Sequence, residues 1–154
     1  MRKILFIAVL SVVLFSCSKD DDSILTMKMS ATIDNAEWST ITRVTVLTDK
    51  GFVITGTSLN GKSISITILG STEGTYELSL TSMQFEAVYK ESVSTTTEDA
   101  YLATSGKVVL TNVNTSSKEI SGTFNFILKK SLTGSSVMVT EGTFTNLKYT
   151  ESSQ

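Results

Sequence analysis

Few side chains in this sequence can do chemistry. His, the usual proton acceptor for a Ser or Cys nucleophile and a common metal ligand, is absent, and Cys17 is the one Cys. Gly56-Thr57-Ser58-Leu59-Asn60-Gly61-Lys62-Ser63 matches the letters of a phosphate-binding loop, G-x-x-x-x-G-K-S. That chemistry requires the loop to open a helix whose first amides cradle the phosphates. Here Ile64-Ser65-Ile66-Thr67-Ile68 follows, a period-two pattern that predicts a strand and leaves Asn60-Gly61 as a hairpin turn. Glu37, Glu86, Glu119 and Glu141 are the acids left for proton transfer. Glycoside hydrolysis needs two such groups about 5 to 9.5 Å apart. Each of the four lies in or beside an expected strand, where an outward charge is ordinary. Asp20 to Asp22 lack the spaced loop that wraps Ca²⁺. Trp38, with Tyr89 and Tyr101, forms the set that would stack on a sugar ring, although a lone Trp is more often a core or hairpin anchor. No catalytic residue, metal site or cofactor is expected.

Cys17 gains meaning from what precedes it. Arg2 and Lys3 lead into an apolar run from Ile4 to Phe15, interrupted by Ser11. A helix needs about 20 apolar residues to span a bilayer, whereas this length fits the hydrophobic region of an export signal. The run ends in Leu14-Phe15-Ser16-Cys17, which resembles the bacterial lipobox. The resemblance implies cleavage before Cys17 and acylation of its thiol and new amine. Several acyl chains on one residue give stable anchoring, at about 0.8 kcal/mol per buried CH₂. Ser18-Lys19-Asp20-Asp21-Asp22 follows; Lys19, Asp20 and Asp21 resemble the surface-export signal of Bacteroidota lipoproteins. The same residues also read as a charged, solvated tether that keeps the domain clear of the headgroups, which is compatible with surface export; the alternative location is the periplasmic face. Asp22-Ser23-Ile24 resembles the acceptor of O-glycosylation in the same bacteria, making Ser23 a candidate modification site. The expected division is a cleaved signal over 1–16, a lipidated acidic tether over 17–24 and one domain over 25–154.

The mature chain carries 11 basic and 15 acidic residues and no basic stripe, which disfavours nucleic acid. It reads as strands throughout. Met27, Met29, Ala31 and Ile33 alternate with polar residues, and Asp34-Asn35 offers a two-residue turn. Further strands are expected at 43–48, with Val44 and Val46 on one face, and at 52–58, 63–68, 75–80, 84–89, 107–114, 119–129 and 136–149. Segment 90–99 has one apolar residue and reads as a mobile surface loop or as a rim element of a site. Ser and Thr supply 47 of the 154 residues, which places them mainly on the wet face of a sheet. Gly-Thr-aromatic recurs at 74–76, 122–124 and 142–144; a Gly that permits close strand approach before a core aromatic accounts for it. Val137 and Val139 are odd and Phe144 is even, so one bulge near Gly142 is needed to put all three inside. The fold expected is all-β: an antiparallel sandwich or flattened barrel of about 8–10 strands, mostly a meander.

The layout as a whole resembles a family of small Bacteroidota lipoproteins of unknown function. The residues that carry it are the lipobox, Thr32-Ile33-Asp34-Asn35-Ala36-Glu37-Trp38, Gly74-Thr75-Tyr76, Ile120-Ser121-Gly122-Thr123-Phe124 and Glu141-Gly142-Thr143-Phe144. The resemblance implies location and fold and brings no activity or cofactor. The function expected is a lipid-anchored, outer-membrane binding or accessory protein that is not an enzyme. The alternatives are a lipocalin-like carrier of a small apolar ligand and a glycan-binding module using Trp38. The expected partner is the membrane, through the lipid, with a glycan, small apolar molecule or protein as ligand.

Overall fold

The structure, a computed structural model, describes residues 28–130 and 133–152. Among them are eleven strands and no helix: β1 Lys28–Ile33, β2 Ala36–Ser39, β3 Thr42–Leu47, β4 Phe52–Thr57, β5 Ser63–Ile68, β6 Gly74–Leu78, β7 Phe85–Lys90, β8 Tyr101–Asn114, β9 Glu119–Lys130, β10 Ser136–Lys148 and β11 Thr150–Glu151. All belong to one sheet, in the order β11-β3-β4-β5-β7-β8-β9-β10-β1-β2, with β6 added to β8. The sheet curls strongly into a half-barrel around its own concave face. The all-β expectation holds, and the barrel-like alternative describes it better than two facing layers. One pair corrects the antiparallel expectation: β11 lies parallel to β3, with Thr150 opposite Val46.

Local chemistry explains the turns. Asp34 and Asn35 both have positive φ, 45° and 66°, the pair a two-residue turn needs to match strand twist. The Asp34 carboxylate accepts the Met138 amide at 2.8 Å, tying this tip to β10. The β4–β5 loop is longer than the two-residue turn expected there. It is closed by Ser58 N–H to Lys62 C=O at 2.9 Å, and Gly61 takes the left-handed position with φ 79°.

The concave face is packed with Met29, Trp38, Phe52, Phe85, Phe124, Phe144 and the isoleucines of β4 and β5. Two Gly-Thr-Phe segments meet there head to tail: Gly142 lies opposite Phe124, Thr143 opposite Thr123, and Phe144 opposite Gly122. A Cβ at Gly142 would stand 2.4 Å from the Phe124 ring, and one at Gly122 2.5 Å from the Phe144 ring. Each glycine is therefore the seat of the partner's ring. The expected bulge is present between Val139 and Gly142, where three steps of β10 face two of β9. Its left-handed residue is Glu141, with φ 51°, instead of the glycine. Val137, Val139 and Phe144 all point inward as required.

β3 is inverted. Val44 and Val46 do share a face, but it is the outer one: Val44 is 62% exposed, whereas Thr45 points inward and is 5% exposed. The reason lies at the bend through Thr40 and Ile41. Even-numbered Trp38 is inside before it and odd-numbered Thr45 inside after it, so the bend shifts the alternation by one residue. The Thr45 hydroxyl is left without a hydrogen-bond partner among the described residues. Replacing Thr45 with Val should raise stability by about 1 kcal/mol, since a buried hydroxyl with no partner is a net cost. Gly142→Ala should lower it by about 1–3 kcal/mol through overpacking. Urea midpoints of the two variants against the parent protein check both.

Candidate functional site

The residues singled out by chemistry fall in different places. Ser63, the last letter of the phosphate-loop pattern, begins strand β5, and no helix starts near Lys62. The first letter, Gly56, has a packing use: a Cβ there would lie 2.4 Å from Thr40 Cγ2 and 2.8 Å from Met29 Sδ. It lets β1 and the β2–β3 bend close against β4.

Of the four glutamates, Glu119 is held by Lys148 Nζ at 2.9 Å and by the Ser117 hydroxyl at 2.8 Å. Those hydrogen bonds keep its carboxyl below the usual carboxylate range. Glu86 is exposed on β7. Glu37 and Glu141 do come together. They line a polar groove of about 470 Å³ with Ser30, Thr32 and Ser39, and the Thr32 hydroxyl donates to Glu141 at 3.0 Å. Both are exposed, so neither is desolvated as a catalytic acid would be. Among the described residues no three potential metal ligands cluster.

The aromatic set does not form a stacking platform. Trp38 is 4% exposed and points inward, its indole N–H donating to Lys62 C=O at 3.2 Å. Tyr89 on β7 and Tyr101 on β8 face each other with ring centres 5.8 Å apart, and are 2% and 8% exposed. Lys130 Nζ stands 5.0 Å over the Tyr101 ring and 3.6 Å from Glu91. The sugar-stacking reading needed a flat, solvent-facing indole beside these tyrosines, and burial removes that face. The apolar-carrier reading needed an open interior, which side chains fill instead.

A groove that sequence reasoning missed lies beside Trp38. It measures about 420 Å³ and runs between β2 and the β4–β5 loop, with Ile33, Glu37, Ser58, Leu59 and Lys62 among its walls. Leu59, at the tip of its polar loop, is 84% exposed. A second, more apolar groove of about 290 Å³ opens where β7 and β8 part company. Leu78, Met83, Phe85 and Leu102 line it. The two strands pair only at Val88–Leu102 and Tyr89–Tyr101 before β6 takes over the edge of β8. Cys17, Lys19, Asp20, Asp21 and Ser23 lie outside the described residues. Lys28, where the description begins, pairs with Thr145 near the end of β10, whereas the groove beside Trp38 adjoins the Ile33 end of β1.

Burial, then the charges of Glu91, Tyr101 and Asp34, push the Tyr89 hydroxyl up to about 12 from its ordinary 10.0. An unfolded chain releases that proton near pH 10 and the folded one near 12. The contribution to stability is therefore intact below pH 10 and is lost as pH rises toward 12. In Tyr89→Phe this loss should be absent, so urea midpoints taken from pH 9 to 12 should fall less steeply than in the parent protein.

Searches of the curated proteins and of the solved structures found no match to this chain. A family model does match, over residues 26–148, which takes in every strand from β1 to β10. The chain belongs to the family described as Domain of unknown function (DUF6252).

Proposed function

We propose that this protein is a non-catalytic binding or accessory lipoprotein of the outer membrane, anchored through Cys17 and turned to the cell exterior. The observation that carries the reading is the position of the single Cys, at the point where the apolar run of an export signal stops. Lys19, Asp20 and Asp21, directly after it, favour the outer surface over the periplasmic face, and Ser23 would carry a glycan on the tether. Eleven residue steps separate Cys17 from Lys28, a reach of at most about 38 Å. The domain beyond is coated with Ser and Thr and keeps its aromatics inside, as suits a module that meets water on nearly all sides. Binding without catalysis is supported by the lack of His and by acids that are exposed or already paired.

The anchor predicts two measurements. Cys17→Ala should move the protein from the membrane pellet to the soluble fraction. An unchanged pellet would show that something else holds it. Protease added to intact cells should digest the parent protein if Lys19, Asp20 and Asp21 direct it outward. Replacing those three with Ala should then protect it, and digestion that persists in the triple variant would remove their assigned role.

A further inference from the structure

The bent strand formed by β2 and β3 changes partners along its length, and one stretch of it is left with none. β2 pairs with β1 on one edge, with Ile33 opposite Ala36, Ala31 opposite Trp38 and Ser30 opposite Ser39. Thr40 N–H donates to Met29 C=O at 3.1 Å. Alternation from that bond makes Ala36, Trp38 and Thr40 the residues whose main-chain groups face β1. Glu37 and Ser39 therefore turn theirs to the opposite edge. Just below, Ile41 N–H on that opposite edge is taken by Thr57 C=O of β4 at 2.9 Å. β4 then ends, and the chain turns away at Ser58. The N–H and C=O of Glu37 and Ser39 thus sit on the line along which β4 would have continued, and no hydrogen bond to them is present among the described residues.

Space is available on that line. The groove of about 420 Å³ lies between this edge and the β4–β5 loop, and the groove of about 470 Å³ flanks the other side of the same strand. The first has Ile33, Trp38 and exposed Leu59 among its walls, with Lys62 beside them. On the second side stands Glu37, in no ion pair with a described residue; Glu141 lies two strands further, on β10.

We infer that the free edge of β2 is a strand-addition site that takes an extended segment of a partner polypeptide with alternating apolar and basic side chains. Main-chain bonds to Glu37 and Ser39 give the attachment, as in other cases of strand addition to an open sheet edge. The two faces then read the sequence: apolar residues turn toward Leu59 and Trp38, basic ones toward Glu37. The inference rests on the binding reading above but not on its anchor, so membrane release of Cys17→Ala and the result below fail independently.

The test uses the full chain in detergent micelles and an eight-residue peptide alternating Lys and Val, acetylated and amidated at its ends. Trp38, the single Trp, reports from the groove. The peptide should shift Trp38 emission saturably and slow hydrogen exchange of the Glu37 and Ser39 amides at least tenfold. The Trp38 amide, already facing β1, should not change. Methylating alternate peptide amides, or reversing the peptide charge by using Glu for Lys, should weaken binding at least tenfold. Ser39→Pro should do the same, because Pro removes an edge donor at a position where sheets tolerate it. Glu37→Lys gives a second variant that leaves the backbone intact. Absent protection at Glu37 and Ser39, or equal binding of the methylated peptide, overturns the inference. Protection that appears with protein concentration alone would assign the edge to a second copy of this chain and overturn it too.

Discussion

The fold depends on the exchange of rings and glycines where β9 crosses β10. Sheets resist tight curling because side chains crowd on the concave face. Here the crowding is relieved at Gly122 and Gly142, and the vacated space is filled by Phe144 and Phe124. The rings lie nearly parallel, at 22°, with centres 6.3 Å apart, and Phe126 stacks against Phe124 at 5.4 Å. Close strand approach and large apolar area are thus obtained at the same spot, each by virtue of the other. Bulges beside the pair add the remaining bend. Glu141 and Asn146 take left-handed geometry on β10, and the register of β8 slips twice along its length.

Around that crossing, the sheet is stitched by small polar contacts on its wet side. Ser30 bonds Thr143 and Thr55 bonds Ser65, at 3.3 and 2.9 Å. At the Asn146 bulge the Ser121 hydroxyl accepts the Asn146 amide at 2.9 Å. Such pairs explain why so many hydroxyl residues coexist with a well-filled core: they supply cross-strand contact where water reaches the strands. Their individual worth is a few tenths of a kcal/mol up to about 1 kcal/mol, so they fix register more than they hold the fold.

Strand content was legible wherever period two ran for five or more residues. β5 and the inward set of β10, bulge included, could be read from the letters alone. Gly-Thr-Phe was legible as close approach, although that the two copies face each other was not, because pairing between distant segments leaves no local trace. The facing of β3 was hidden for a related reason. Its alternation is real, but which face is inside was decided by the bend at Thr40 and Ile41, a tertiary event. The groove beside Trp38 was illegible because it exists through something that stops. β4 ends one strand-length too early to cover Glu37 and Ser39, and an end is visible only against its neighbours. Conversely, the strongest chemical motif by letters, at 56–63, was dismissed by the strand pattern that follows it, and the structure gives its Gly61 and Lys62 to a hairpin.

The pairing of β1 with β10 joins the two ends of the domain; the Ser30–Thr143 contact spans 113 residues. Emerging from a ribosome or from an export channel, β1 comes first. Its inner row, Met29, Ala31 and Ile33, has β2 beside it early, but the strand that covers its other edge is almost the last to be made. That edge stays uncovered in the interval that follows. Through it the nascent hairpin must stay single and unaggregated, and a lone two-stranded ribbon has little stability of its own in water. The domain consequently cannot mature piecemeal from its N-terminus. Its final closure is a single late event, timed by the arrival of β10.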